Sequence, residues 1–437
     1  MSKFQIAIFV IFLAFALAGL IFFSIFKGHG KAAPAPITIW GELDANQMLA
    51  YTPAIVKLGG DINQVINYVQ IAPGNMYQSY LEALASGTGP DLLLLSQDQY
   101  LQFANKLYVI PYQYISQSVY QATYVQAANS YLLPQGVGAI PFALDPMVMY
   151  WNTSLFTNAL IPNPPAYWDT VAALVPKLTV KDASLNITTS AVGLGEYSNI
   201  DHAKDILSLL ILQTGDPIVQ TGGTVPTSAL LASNDPSSMT PLAANALSFY
   251  TQFADPQNTL YSWNRALSDS QTLFVSNRLA MYFGYASEQD QITQRNPNLT
   301  FAVALMPQSR TLVQGQPLKL TYGKLYGLSL AKSSRNAPAA IAMALLFGSK
   351  NGSGLWSSLT GLPSDRRDSL NLSANNATQA MFAQSALLMQ TWNDPNTVQT
   401  EGIFKNMIQD VTSGNQSVTG ALQNANSSLA ALLPQVQ

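Results

Sequence analysis

Short apolar runs alternate with longer segments that have one apolar face in the first part of the chain. Residues 37–40, 65–71 and 92–95 are largely apolar, and residues 46–57 and 75–86 between them have the spacing of amphipathic helices. The pattern predicts the order strand, helix, strand, helix, strand. The four leucines of residues 92–95 do not alternate with polar residues, which is typical of a parallel strand that is covered on both faces.

Polar and aromatic side chains stand at the ends of the first and third predicted strands. Trp40 ends the first strand and Glu42 follows it, while Ser96 and Asp98 follow the third strand. In open parallel sheets, ligands bind beyond the carboxyl ends of the strands. We therefore expect these four side chains to contribute to a ligand-binding site.

Residues 136–152 are apolar on both sides of a single acid, Asp145. Pro141 and Pro146 flank the short piece that contains it, and proline fixes its own φ and disfavours helix for the residue before it. The stretch is therefore predicted to be a stiff, buried, extended segment, as in a strand that crosses between two domains. Because a buried carboxylate needs compensating hydrogen bonds, Asp145 is a candidate ligand-binding residue.

The second half of the chain continues the alternation with more helices. Strands are predicted at residues 191–199, 301–305 and 325–331, and helices at residues 168–178, 203–213, 242–254 and 271–278 and from residue 374 onward. Glu196 and Tyr197 then lie at a strand end. Trp392 is an isolated large aromatic residue in a late polar loop.

An apolar segment stands at the start of the chain. Residues 6–26 are almost wholly apolar, and a helix of about 20 such residues spans the hydrocarbon core of a bilayer. We predict one transmembrane anchor within residues 1–27 and a short tether over residues 28–36. A cleaved signal peptide is the alternative, because residues 14–18 resemble a cleavage site. We favour the anchor because the apolar run continues through residues 20–23.

Composition indicates two domains and excludes one class of partner. The chain has 437 residues, of which 48% are hydrophobic, which is enough for two sizeable cores. Only 10% of the residues are charged, and the formal net charge is −3. Because no basic cluster is present to contact phosphates, we expect no nucleic-acid partner. The chain has no cysteine, which excludes disulfides and thiolate metal sites.

Residues that carry common catalytic chemistry are scarce. The two histidines are His29, in the tether, and His202, which we interpret as a surface residue at a helix start. Neither a two-histidine metal site nor a histidine-based triad is expected, and we predict no enzyme activity, no metal and no cofactor. The enzymatic alternative is a glycoside hydrolase that uses paired carboxylates from Asp98, Asp145 and Glu196.

Residues 136–171 read GVGAIPFALDPMVMYWNTSLFTNALIPNPPAYWDTV. This stretch resembles the hinge-crossing signature of extracellular solute-binding proteins of family 1, the sugar-type receptors of ABC importers, which include maltose/maltodextrin-binding proteins. Residues 84–95, 274–287, 322–349 and 361–367 resemble other motifs of that family in the same order. Within the second of these segments Asn277 replaces a family glycine, which is tolerable because asparagine is enriched in left-handed backbone conformation.

The resemblance implies an α/β, two-lobed periplasmic-binding-protein-like fold of type 2, with a ligand cleft between the lobes. It places residues 37–142 with 286–333 in lobe 1 and residues 146–283 with 336–437 in lobe 2. The chain would cross between lobes near residues 142–145, 282–285 and 331–334. The large domain would lie on the extracytoplasmic side of the cell membrane, held by the single-pass anchor.

The resemblance also implies a monomeric binding protein that captures a small solute, a saccharide in chemical class, for the permease subunits of an ABC importer. Acids accept the hydroxyl groups of a sugar, and aromatic rings stack on its apolar face. The predicted ligand-binding residues are Trp40, Glu42, Ser96, Asp98, Asp145, Glu196, Tyr197, Tyr285 and Trp392. A receptor or sensor of the same fold that does not transport is the alternative.

Overall fold

The computed structural model describes residues 35–433 apart from residues 60–64, 73, 222–225, 233–240, 314 and 373–375. The predicted anchor and most of the tether lie outside the described residues. Within the described ranges, no helix is both long enough and apolar enough to cross a bilayer.

The strands are numbered along the chain, and several contain only two residues. They are β1 Ile37–Gly41, β2 Ile66–Gln70, β3 Leu92–Ser96, β4 Leu107–Tyr108, β5 Ile110–Pro111, β6 Leu132–Leu133, β7 Gly136–Val137, β8 Ile140–Asn152, β9 Val180–Lys181, β10 Ile187–Val192, β11 Val219–Gln220, β12 Thr227–Ser228, β13 Leu279–Tyr285, β14 Phe301–Ala304, β15 Leu312–Val313, β16 Gln316–Pro317, β17 Thr321–Ala331 and β18 Met389–Gln390.

The α-helices are numbered in the same way. They are α1 Ala45–Leu58, α2 Met76–Ser86, α3 Gln97–Phe103, α4 Gln117–Thr123, α5 Thr153–Asn158, α6 Trp168–Leu178, α7 Ala203–Leu212, α8 Leu242–Thr251, α9 Ser270–Val275, α10 Gln289–Arg295, α11 Ala337–Phe347, α12 Lys350–Thr360, α13 Ala377–Leu388, α14 Thr397–Thr412 and α15 Val418–Leu432. Short 3₁₀ helices include Gln126–Tyr131, Gln252–Ala254 and Ala286–Glu288.

The first part of the chain has the predicted order of elements. Strands β1, β2 and β3 alternate with α1 and α2, and β1 pairs in parallel with both β2 and β3. The leucines of β3 are all buried, as expected of a strand that is covered on both faces. Gly87 ends α2 with φ of 69°, in the left-handed region where glycine carries no Cβ penalty.

Two separate hydrophobic cores define two lobes. The first core includes Ile39 of β1, Leu93 of β3 and Phe347 of α11. The second core includes Leu207 of α7 and Met281 of β13. The lobes are joined through one sheet, whose strand order is β2-β1-β3-β17-β8-β13-β10-β9.

Strand β8 crosses from one lobe to the other, as predicted for residues 136–152. Its first half pairs antiparallel with β17, from Ile140 opposite Leu328 to Pro146 opposite Gly323. Its second half pairs antiparallel with β13 and β14. Accordingly Phe142 belongs to the first core and Val148 belongs to the second.

The second crossing differs from the prediction. Residues 282–285 were expected to lead back to the first lobe, with the strand at residues 301–305 in it. Instead β14 pairs with the second half of β8, with Phe301 opposite Asn152, so the chain stays in the second lobe. The return is made by β17, because Tyr322 packs in the second core and Leu325 packs in the first. In its second half, β8 pairs with β13 along one edge, and β14 pairs with the opposite edge. Sequence patterns do not show which edge of a strand remains free.

The third crossing is also later than predicted. Helices α11 and α12 were assigned to lobe 2, but Phe347 and Trp356 pack in the first core, against Tyr51 of α1. Beyond these helices Phe382 of α13 packs in the second core, Met389 packs in the first and Trp392 packs in the second, so the chain passes between the cores again within residues 382–392. The composition of α11 and α12 alone could not assign either helix to a lobe.

The predicted strand at residues 191–199 is shorter than expected. Strand β10 ends at Val192, and residues 193–199 form an irregular segment. Gly195 has φ of 107°, and a Cβ there would lie 2.5 Å from the backbone nitrogen of Ala254. The close approach of that neighbouring backbone requires glycine and turns the chain out of the strand. Glu196 and Tyr197 therefore follow the strand instead of ending it.

Candidate functional site

The ends of β1 and β3 carry a hydrogen-bonded group of polar side chains on the first lobe. The Ser96 hydroxyl donates to the carboxylate of Asp98, and the backbone N–H of Ser96 donates to Gln99 Oε1 over 3.3 Å. Gln99 Nε2 donates to Glu42 Oε1 over 2.5 Å. Three of the predicted ligand residues, Glu42, Ser96 and Asp98, thus lie in one hydrogen-bonded network. The network arises because Ser96 and Gln99 form a capping box at the start of α3, and the Gln99 side chain also reaches the end of β1.

Glu42 and Trp40 are both partly buried. Partial burial raises the pKa of Glu42, the hydrogen bond from Gln99 opposes the rise, and the nearby charge of Asp98 adds to it. Trp40 is half-buried and packs against the first core. Packing against the first core explains the position of the Trp40 side chain without a contact to a ligand.

Asp145 lies on β8 directly opposite Lys324 of β17. Its Oδ1 accepts a hydrogen bond of 3.0 Å from the backbone N–H of Ser287. Asp145 is only partly buried, although the sequence pattern predicted that it would be buried among apolar residues. Burial raises the pKa of Asp145 to about 6, although the Ser287 hydrogen bonds oppose the rise.

Lys324 stands among the acids of both lobes and was not identified from the sequence. Burial opposes its charge, but Tyr326, Asp98, Asp205 and Asp145 favour the protonated form and raise its pKa above the usual value. Lys324 Nζ lies 5.5 Å from the centre of the Tyr285 ring. It forms no ion pair with any residue that the structure describes, so its hydrogen-bond donors are available to a ligand.

Tyr285 ends β13 on the second lobe, as predicted, but its hydroxyl is engaged. The hydroxyl donates to Asp205 Oδ2 over 2.8 Å, and the ring is almost fully buried. His202 packs against this ring edge-on, with centroids 4.8 Å apart, and its Nε2 lies 2.7 Å from Glu288 Oε1. The interpretation of His202 as a surface residue was therefore incomplete, because its side chain is 27% exposed and pairs with an acid.

A second acidic group faces the cleft from α14. The Tyr197 hydroxyl donates to the carboxylate of Glu401, and Lys204 Nζ lies 3.9 Å from Glu401 Oε1. Partial burial and the charge of Asp98 raise the pKa of Glu401 to about 7. Asp98 belongs to the first lobe and Glu401 to the second, so this electrostatic effect acts between the lobes.

Two predicted residues have other surroundings. Glu196 is 6% exposed, and its Oε2 accepts a hydrogen bond of 2.8 Å from Arg265 Nε, so its charge is already paired. Trp392 is 4% exposed and stacks on Phe404 of α14 with centroids 6.2 Å apart. Neither side chain makes a described contact with the acids around Lys324.

The structure thus brings five acids and Lys324, from both lobes, close enough for their charges to affect one another. We name this set the acidic cleft; it consists of Glu42, Asp98, Asp145, Asp205, Glu401 and Lys324. Sequence patterns gave no sign of Asp205 and Glu401, because both lie in ordinary helix turns. Within the described residues, no group of three or more His, Cys, Asp and Glu residues could hold a metal ion.

Two solved structures have a fold similar to this chain. A solute-binding protein of an ABC transporter from Thermotoga lettingae, bound with α-D-tagatose, has a TM-score of 0.66 at 19% identity, covering 91% of this chain and 99% of that chain. A cyclic α-maltosyl-1,6-maltose binding protein from Arthrobacter globiformis has a TM-score of 0.71 at 16% identity, covering 91% and 99%. At these identities the likeness shows the two-lobed α/β fold.

The amino-acid sequence has related proteins as well. A putative binding protein of Brucella abortus (strain 2308) is 24% identical over 286 residues, which are 63% of this chain and 62% of that protein. The chain thus spans less than two thirds of the length of the curated relatives it matches. Residues 54–347, more than half of the chain, match the family described as bacterial extracellular solute-binding protein. The resemblance found in the sequence is confirmed: the chain belongs to the family of bacterial extracellular solute-binding proteins.

Proposed function

We propose that this protein captures an uncharged saccharide in the acidic cleft and delivers it to the permease subunits of an ABC importer. The observation that carries the proposal is that acids of both lobes, Asp98 and Asp205, act on the charge of Lys324 in the crossing strand β17, where Asp145 of β8 lies directly opposite it. Carboxylates accept hydrogen bonds from hydroxyl groups, and the lysine supplies donors to a ring or hydroxyl oxygen. The excess of acids disfavours anionic solutes.

The similar structures support the same class of ligand. Their bound molecules include tagatose, mannobiose and maltotriose. A two-lobed protein of this kind commonly closes on its ligand by hinge rotation, and the crossings formed by β8, β17 and the segment before Trp392 are the hinges we propose. The protein acts in this proposal as a monomer and as a binding protein without catalysis.

The function is tested by titrating the purified protein with tagatose, mannobiose and maltotriose in a calorimeter, alongside native mass spectrometry of molecules retained from cells. We expect saturable binding of at least one uncharged saccharide and a smaller radius of gyration in solution scattering when it is bound. A protein that retains and binds only anionic or apolar molecules contradicts the proposal. A sensor without transport is distinguished by uptake of the same sugar in cells that lack the importer.

Replacing Asp145 with alanine is expected to weaken saccharide binding about 10- to 100-fold, because a charge-assisted hydrogen bond contributes about 1.5–3 kcal/mol. The melting temperature should fall only slightly, since Asp145 accepts one described backbone hydrogen bond. Asp182→Ala is the matched control, because exposed Asp182 also accepts a backbone N–H, from Ser184 over 2.8 Å. Unchanged affinity together with a large loss of stability would assign Asp145 a purely structural role.

We further propose that the apolar segment at residues 6–26 is retained and anchors the protein with the binding lobes on the extracytoplasmic side. The length and composition of the segment support this, and the family is extracellular. The full-length protein should sediment with membranes and leave them only with detergent. An amino terminus that begins after residue 18 in the mature protein would indicate a cleaved signal peptide instead.

A further inference from the structure

A second crevice, of about 410 Å³, lies between the two lobes. On the first lobe it is lined by the 3₁₀ helix Gln126–Tyr131, and on the second by the end of α7 and by β11. Residues 390–393, where the chain crosses between the cores, line it as well. None of the residues of the acidic cleft is among the lining residues, so this crevice is a separate space.

The lining of the crevice is polar but nearly uncharged. Among the described lining residues, Asp216 is the single acid, and lysine and arginine are absent. Neutral hydrogen-bonding side chains alternate with aliphatic ones; they are Gln126, Asn129, Ser130, Thr221, Gln390, Thr391 and Asn393. A volume of this size falls in the range of small-molecule pockets, about 300–1,000 Å³.

Three buried polar atoms of the crossing segment have no hydrogen-bond partner in the described part of the chain. They are Thr391 Oγ1, Trp392 Nε1 and Asn393 Oδ1, all in residues that line the crevice. Trp392 is 4% exposed, so its N–H cannot rely on bulk solvent. A buried polar group without a partner is costly, and such groups in native proteins call for a bound molecule or an ordered water.

We propose that this crevice is a second binding site, and that it takes a small uncharged polyol. The indole N–H is a donor, the amide oxygen is an acceptor and the threonine hydroxyl acts as either. Adjacent hydroxyl groups complement such a set, because each can donate and accept. An anionic ligand finds no lysine or arginine among the described lining residues, and a purely apolar one leaves the three atoms unsatisfied. The bound polyol contacts both lobes, because the walls belong to both.

The absence of cysteine from the chain permits a direct test. Asn129 is exposed at the crevice, and Asn129→Cys provides a single thiol there. The variant is equilibrated with equal amounts of the symmetric disulfides of four small thiols, namely 1-thioglycerol, cysteamine, 3-mercaptopropionate and propanethiol. Exchange with the thiol at position 129 forms a mixed disulfide and releases one molecule of the free small thiol. Intact-mass spectrometry then measures which mixed disulfides form. The control is Gln121→Cys, an exposed position in α4 that does not line the crevice. Comparing the two positions corrects for differences in intrinsic reactivity among the four thiols.

Capture of 1-thioglycerol at position 129 should exceed capture at position 121 by about fivefold, as expected for the net gain of one hydrogen bond. Trp392→Phe in the Asn129→Cys background should remove most of this preference, since it deletes the N–H and keeps an aromatic ring. Equal capture of the four thiols at the two positions indicates that only water fills the crevice and overturns the proposal. Preferential capture of cysteamine, 3-mercaptopropionate or propanethiol also overturns it.

Discussion

Replacing Asp394 with alanine is expected to lower the free energy of unfolding by about 3–5 kcal/mol, because it leaves a buried lysine without the carboxylate to which it donates a hydrogen bond. Lys204 Nζ lies 2.6 Å from Asp394 Oδ2, and the two side chains are only 5% and 0% exposed. The Thr400 hydroxyl bonds to the same carboxylate oxygen, over 2.6 Å. The pair thus ties α7 to the start of α14 inside the second lobe.

The measurement is urea unfolding of the wild type and Asp394→Ala at neutral pH. The exposed ion pair between Arg310 and Asp169 supplies the control, since both side chains are more than half exposed. Asp169→Ala should cost at most about 1 kcal/mol, as surface pairs do. A double replacement, Lys204→Met with Asp394→Leu, should recover most of the loss because no buried charge remains. A loss as small as that of the control in the single Asp394 variant would show that water reaches Lys204.

The second large effect is a loss of stability as the pH rises, caused by Asp365. This residue is 1% exposed, and neither carboxylate oxygen has a hydrogen-bond partner within the described residues. Burial raises the pKa of Asp365 from 3.8 to about 7. The folded state therefore holds this proton more tightly than the unfolded state. Its contribution to stability is fully present below the unfolded pKa and is lost as the pH rises to about 7.

The difference in pKa corresponds to about 4 kcal/mol, since one pKa unit is about 1.4 kcal/mol. Asp365→Asn should therefore be more stable than the wild type at pH 8 by up to that amount, and equally stable at pH 4. Unfolding free energies at the two pH values measure it. Asp182→Asn is the control, because the pKa of this exposed acid is lowered by its bonds from Asn186 and the substitution should not stabilise the protein at pH 8. An Asp365→Asn variant destabilised equally at both pH values would contradict the prediction.

Much of the first lobe was predictable from the sequence because its signals are local. The helix period of residues 46–57 and the unbroken leucines of β3 each depend on neighbouring residues, and the structure agrees with both. The crossing strand was predictable for the same reason, because apolar residues on both sides of Asp145 leave few alternatives to a covered strand. Asn277 likewise has φ of 60°, as expected where a glycine is replaced by asparagine.

The assignment of segments to lobes was less predictable. Strand β14 and helices α11 and α12 have local patterns that fit either core, so their position depends on which strand edge or core surface remains open. Contacts between β14 and β8 join residues about 150 positions apart, and such pairings carry no signal in a single sequence. The prediction of a strand at residues 191–199 was partly wrong for a related reason. The turn at Gly195 is set by the close approach of the Ala254 backbone, which belongs to another segment.

By itself, the sequence determined the alternation of strands and helices in the first lobe, the crossing strand and the acids that follow β1 and β3. These features follow from short-range periodicity, proline restrictions and strand polarity. Only the tertiary structure decided that Asp205, Glu401 and Lys324 join Asp98 and Asp145, that Glu196 is neutralised by Arg265, and that Trp392 lines a separate crevice. The reason is physical: the charge and exposure of a side chain depend on which distant residues surround it, and packing of the two lobes brings those residues together.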